Sequence, residues 1–312
     1  MAYKKIKSRE SVKSITFIAA FGAILYLALF KTSQIRNFAT EGLKLCASYI
    51  LPTLFPFMIF PEIILALSDC KAIFWLGKSF ERISGFCKEG VVPFLCGTIC
   101  GFPIGAILVN RLYEEGLIEG EDLTKLICTC TTPSVAFCVG IGGSLSGEVS
   151  VGILFWISTV ASALICGMVC SKSEKNMNFT QYKIGQKFDF VASVKRASSS
   201  AIHVTAFVTL FSVLLGLVKT ISESEIIYLI FALFSEVGNS CSAIASGMIL
   251  PNFAKRILIS FALGFSGFSV FFQVASASPH GVFKAKSYLV IKLIQGILSA
   301  AFIAVITALF DK

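Results

Sequence analysis

A lone carboxylate sits in the middle of a long apolar run: Glu236, within Phe231-Ala-Leu-Phe-Ser-Glu-Val-Gly-Asn-Ser-Cys-Ser-Ala243. A charged side chain at the centre of a bilayer costs on the order of 2.5–3.5 kcal/mol on insertion scales, so it needs a partner or a purpose. Ser235, Asn239, Ser240 and Ser242 surround it with hydrogen-bonding groups, and Gly238 loosens the helix beside it. Such a cluster can ring a solvated cavity and take up a coupling cation or a proton. The alternative is a carboxylate bonded to its neighbours to lock helix packing. A second glycine-broken run, Pro93–Asn110, carries Thr98, Gly101, Pro103 and Gly105 and ends at Asn110. Glycine and proline free backbone groups that protein, water or ligand must then satisfy. An exposed half-helix N-terminus offers N–H donors and a partial positive charge, which suits a carboxylate ligand. A merely kinked helix is the plainer reading. Two further stretches, Leu126–Gly143 with Thr132 and Ser134, and Ile257–Ala277 with Ser266, Ser269 and Gln273, set small hydroxyl residues around Pro or Gly. Hairpin tips need that composition, and so does close helix packing. The substrate-binding set expected from the sequence is therefore Thr98, Gly101, Pro103, Gly105, Asn110, Thr132, Ser134, Gly238, Asn239, Ser240, Ser266, Ser269 and Gln273, with Glu236 as the coupling residue.

No catalytic chemistry is expected. Gly264-Phe-Ser-Gly267 matches the G-x-S-G of rhomboid-type proteases, but the chain's two histidines, His203 and His280, are not placed to serve that serine. No phosphate-binding loop, zinc-protease or dinucleotide fingerprint occurs, so neither cofactor nor ATP hydrolysis is implied. Most of the 11 cysteines lie in apolar runs, where they act as small hydrophobes rather than metal ligands. The other ionisable residues in or near apolar segments are Glu62, read as structural or interfacial, and Lys44 and Lys292, read as snorkelling to the membrane surface. No arginine in an apolar run offers a bidentate clamp for a carboxylate.

The elements that must position these residues are membrane helices. The chain is 55% apolar and 14% charged, against about 25% charged in a soluble domain. The apolar segments are Ile15–Phe30, Leu45–Leu67, Val91–Val109, Leu126–Gly143, Val149–Cys170, Ala201–Val218, Ile226–Ile249, Ile257–Ala277 and Tyr288–Phe310. Several reach the roughly 20 residues that cross a bilayer. The net charge of +9 comes from short basic links, which set orientation and do not imply nucleic acid. If Leu126–Gly143 and Ile257–Ala277 are re-entrant, the basic link Ser171–Arg196 and the N-terminus fall in the cytoplasm and the acidic link Arg111–Lys125 falls outside. The expected architecture is an all-α polytopic membrane protein of about seven transmembrane helices plus two re-entrant hairpins. It is organised as a basic segment and first helix (1–40), a first repeat (41–170), a basic cytoplasmic linker (171–194) and a second repeat (195–312). The two repeats are weakly similar and inverted, and broken helices in matching positions are a transporter signature.

Three stretches carry a family resemblance: Leu51-Pro-Thr-Leu-Phe-Pro-Phe57; Cys100-Gly-Phe-Pro-Ile-Gly105 followed by Leu112-Tyr-Glu-Glu-Gly-Leu-Ile118; and Ser260-Phe-Ala-Leu-Gly-Phe-Ser-Gly-Phe-Ser-Val270. Phe234-Ser-Glu-Val-Gly238 adds an acidic residue beside glycine. In these the chain resembles the YlbJ-type sporulation integral membrane proteins, within a wider group carrying nucleoside-recognition or gate domains. The resemblance implies a bacterial inner-membrane protein of the forespore envelope that moves dipicolinic acid, a small planar pyridine dicarboxylate. The expected partners are that organic anion, the lipid bilayer, a coupling cation or proton, and a second copy or another sporulation protein. The alternatives are a gate-domain transporter of nucleosides or another small metabolite, and a non-transporting scaffold of spore formation.

Overall fold

A bilayer offers the backbone no hydrogen-bonding partners, so an apolar chain of this composition must satisfy its N–H and C=O groups within helices. The computed structural model describes residues 32–61, 63, 71–143, 149–170, 189–247 and 250–310, and every regular element among them is helical. In chain order these are α1 (Thr32–Leu45), which runs on through irregular turns to residue 59, α2 (Lys71–Ser84), α3 (Val91–Cys100), α4 (Ile104–Glu114) and α5 (Gly120–Cys130). After a short turn over 135–143 follow α6 (Val149–Cys170), α7 (Phe190–Ile221), α8 (Glu225–Ser235), α9 (Val237–Ser246), α10 (Asn252–Phe265), α11 (Gly267–Ala277) and α12 (Ala285–Phe310).

Five stretches are long and apolar enough to cross a membrane: Gly120–Gly140, Val149–Cys170, Phe190–Ile221, Asn252–Ala277 and Ala285–Leu309. A sixth arises only if α2 and α3 are joined across a bend of 105°. The segment Ile15–Phe30 and the residue Glu62 lie outside the described residues. Helix α12 shows how the spans are built. Val290, Ile294, Ile297 and Val305 are exposed along one face, where lipid tails belong. Tyr288, Lys292, Gln295, Ser299 and Ile303 are buried on the other. This is a water-soluble helix turned inside out. Helix α10 packs closely on α12 because the contact is glycine and serine: a Cβ on Gly264 would stand 2.9 Å from the Gly296 Cα, and Ser260 and Ser299 share a hydrogen bond of 2.8 Å. Small residues that let backbones meet are the usual cement of membrane helices.

The hairpins are real, but they are not where the sequence suggested. Leu126–Gly143 and Ile257–Ala277 belong to two of the spans, each interrupted once, at 131–134 and at Ser266. The two glycine-broken runs are the elements that double back. Helices α3 and α4 fold together about Gly101, so that a Cβ on Gly97 would lie 3.3 Å from the Gly105 Cα. Helices α8 and α9 fold together about Glu236: the Ser240 hydroxyl donates to the Ala232 carbonyl across the turn. A Cβ on Gly247, past the end of α9, would lie 3.2 Å from the Glu225 carboxylate at the start of α8. The cause is local. Gly101 takes φ +83° and ψ 178°, a conformation open to glycine alone, and Glu236 is fully extended at φ −147° and ψ 135°.

Candidate functional site

Each hairpin tip lies against the break of a span. At the first crossing, the α3–α4 tip meets the interruption at 131–134: a Cβ on Gly101 would stand 2.9 Å from the Ser134 N. The C-terminal carbonyls of α5 would be left without intrahelical partners, and side chains meet several of those at the break. Thr131 donates to the Ile127 carbonyl at 2.6 Å, Gln295 Nε2 to the Cys128 carbonyl at 3.1 Å and Lys292 Nζ to the Thr131 carbonyl at 2.8 Å. The Cys130 carbonyl enters a notch between α3 and α4 that exists only because both faces are glycine. A Cβ would come within 1.8 Å of it from Gly97 and 2.0 Å from Gly105. The end of α3 is met in the same way, with Thr132 donating to the Gly97 carbonyl at 3.3 Å and Trp156 Nε1 to the Thr98 carbonyl at 2.9 Å. Ser134 caps the next turn by accepting from the Phe137 N–H at 3.0 Å.

At the second crossing, the α8–α9 tip meets the interruption between α10 and α11. A Cβ on Gly267 would stand 3.0 Å from the Ser235 carbonyl and 3.4 Å from the Glu236 Cα. Ser266 and Gly267 both take positive φ, 71° and 72°, and Ser266 is the non-glycine residue held there. Glu236, 4% exposed, is the N-cap of α9 and accepts from the Asn239 N–H at 2.7 Å. A carboxylate at that end meets the positive pole of the helix. Asn239 Nδ2 donates to Ser212 on α7 at 2.8 Å, and the single Ser240 hydroxyl proton is shared between the Ala232 carbonyl and the Glu236 carbonyl, the latter at 2.6 Å. Helix α9 packs against the 138–143 turn, which joins the two crossings.

The structure thus gathers Thr98, Gly101, Pro103, Gly105, Thr132 and Ser134 at one crossing, and Glu236, Gly238, Asn239, Ser240 and Ser266 at the other. Asn110, Ser269 and Gln273 lie apart from both tips, along the contact between α4 and α11. Asn110 Nδ2 reaches the Ala277 carbonyl at 3.0 Å and Gln273 Nε2 reaches Ser269 at 3.2 Å. The Asn110 Oδ1 and Gln273 Oε1 oxygens are buried without a partner among the described residues. The polar groups around Glu236 bond to one another, so in this state they do not ring an open cavity. An apolar groove of about 680 Å³ opens elsewhere, between α1 and α7, lined by residues such as Leu43, Ile202, Thr205 and Leu210.

Lys292 corrects the sequence reading most directly. It does not snorkel: it is 1% exposed and its ammonium closes the broken end of α5. A cation at the C-terminal pole is held there for the same reason that Glu236 is held at an N-terminal pole. The signal was present in the sequence. Tyr288, Lys292, Gln295 and Ser299 recur at helical spacing through an otherwise apolar segment.

Two helical hairpins, each with its tip set against the break of an apolar span, and the spans themselves define an all-helical polytopic membrane protein. The chain is similar to the sporulation integral membrane protein YlbJ of Bacillus subtilis (strain 168), with 24% identity over 331 aligned positions that take in 92% of this chain and 81% of that one. The similarity runs along nearly the whole length of the chain. No family model matches the chain, and no solved structure matches it.

Proposed function

We propose that this protein is a permease for a small organic anion, with dipicolinate as the substrate, working by alternating access in the inner membrane of a sporulating bacterium. The observation that carries the reading is the pair of hairpin tips packed on broken spans. The arms of each hairpin hold 10 or 11 residues, which at 1.5 Å per residue is about 15 Å, or half of a hydrocarbon core of about 30 Å. Both tips therefore reach midplane depth, where transporters bind substrate between discontinuous helices. Three spans separate the hairpins in the chain, so the hairpins open to opposite faces, which is an inverted arrangement. The basic link 171–196 then lies on the cytoplasmic side together with the base of the first hairpin. The acidic link Arg111–Lys125 joins it there; carboxylates weigh little in membrane orientation. Glu236 is the residue that exchanges a proton or cation as the second tip moves off its span, and the packed crossings represent the closed state of the cycle. The sporulation setting follows from the name of the relative.

The test is thermal stability of the purified protein in detergent with millimolar dipicolinate, against phthalate and uridine. A ligand that binds the folded state raises the melting temperature. A rise with dipicolinate above that with phthalate supports the reading. A rise with uridine alone assigns the protein to nucleoside transport, and no rise with any of the three, in protein still folded by circular dichroism, favours a scaffold.

A further inference from the structure

Helix α12 carries a buried polar stripe, Tyr288, Lys292, Gln295 and Ser299, none more than 1% exposed. Two of its members serve the broken end of α5, as described. The Lys292 ammonium has three donors. One goes to the Thr131 carbonyl at 2.8 Å and a second to Gln295 Oε1 at 2.8 Å. Among the described residues the third has no partner, and no carboxylate forms an ion pair with the ammonium. One turn earlier on the same face, the Tyr288 hydroxyl is buried with no hydrogen-bond partner among the described residues. Closing a helix end takes only a neutral donor, which Gln295 already supplies to the Cys128 carbonyl. A full positive charge inside a membrane domain, with a donor to spare and an unpartnered hydroxyl one turn away, is a site for an anion.

We propose that Lys292 is the anion-binding residue of this protein, its uncommitted N–H taking a carboxylate of the transported acid beside the break in α5, with the Tyr288 hydroxyl as a second donor to the same ligand. This rests on the permease reading and assigns a counter-charge to its substrate, which the sequence alone left without one. It also divides the labour between the crossings. The first, with its buried cation, receives the anion, and the second, with its buried acid, receives the coupling cation or proton.

The experiment compares dipicolinate with its neutral diamide, pyridine-2,6-dicarboxamide, in calorimetric titrations of the full chain in detergent. The variant is Lys292→Gln, which keeps a donor for the Thr131 carbonyl and removes the charge. Loss of a charge-assisted hydrogen bond corresponds to about 10- to 100-fold in affinity. The expected result is a loss of that size for dipicolinate with the affinity for the diamide unchanged. If Lys292→Gln binds dipicolinate as the wild type does, the anion site is elsewhere and the permease reading stands. If the wild type binds no dipicolinate, both fall. Should Lys292→Gln fail to fold, Tyr288→Phe takes its place: weaker binding of dipicolinate with the diamide unchanged supports the site, and wild-type affinity for both overturns it.

Discussion

Glu236 and Lys292 are two charges that this membrane domain keeps out of water, and each is held at the helix pole of opposite sign. For Glu236 the local role can be separated from the proposed one. Glu236→Gln keeps an oxygen that can accept from the Asn239 N–H, so the cap on α9 survives. Glu236→Ala removes it, at a cost of about 1 kcal/mol for a lost N-cap. The expected outcome is that Glu236→Gln melts within a few degrees of the wild type yet abolishes or uncouples dipicolinate uptake in proteoliposomes, whereas Glu236→Ala also lowers the melting temperature. A Glu236→Gln protein that takes up dipicolinate at the wild-type rate would reduce the residue to a cap. Glu236 was legible in the sequence because an acid in an apolar run has no ordinary reason to be there. Lys292 was legible only in part: the stripe Tyr288, Lys292, Gln295 and Ser299 marks a polar face, but a lysine near the start of an apolar segment is ordinary at a membrane surface. Its burial depends on α5 ending against α12, a contact between residues about 160 positions apart that no local pattern encodes.

At the level of elements, the sequence marked four interrupted stretches and misread which of them turn the chain around. Glycine and proline announce that a helix stops; they do not say in which direction it resumes. Direction depends on tertiary fit, and for the first hairpin the fit is the glycine notch that admits the Cys130 carbonyl. That notch yields a sharp prediction. Gly105→Ala would put a Cβ 2.0 Å from the carbonyl oxygen, and a backbone atom cannot swing aside as a side-chain tip can. Overpacking of this kind costs typically 1–3 kcal/mol and more where the backbone itself must move. Gly116→Ala is the control. Its φ is +72°, but a Cβ there would meet nothing within 4 Å, leaving only the strain of a left-handed residue, about 1–2 kcal/mol. Thermal unfolding in detergent should rank Gly105→Ala well below Gly116→Ala. Because Gly97 and Gly105 border the same oxygen, the double variant should cost less than the two single costs together. Equal melting temperatures for Gly105→Ala and Gly116→Ala would mean that the notch does not hold the hairpin closed.

For the whole molecule, composition was enough to establish a polytopic helical membrane protein, and the positions of the two hairpins relative to the spans were beyond it. The re-entrant segments expected from charge placed the Arg111–Lys125 link outside. In the arrangement proposed above, with α3–α4 and α8–α9 as the hairpins, that link falls on the same face as the basic link 171–196, and the hairpins open to opposite faces. The difference can be measured with single thiols. Eight of the cysteines are buried, whereas Cys87 and Cys170 are partly accessible and Cys70 lies outside the described residues, so replacing Cys70, Cys87 and Cys170 with serine gives a quiet background. Glu115 at the base of the first hairpin and Ser246 at the base of the second are both exposed. A membrane-impermeant maleimide added to intact cells should label Ser246→Cys, and should label Glu115→Cys only after the membrane is opened. Labelling of both from outside would place the hairpin bases on one face. The two tips would then enter from the same side, and a mechanism in which each crossing opens to a different compartment would lose its geometry.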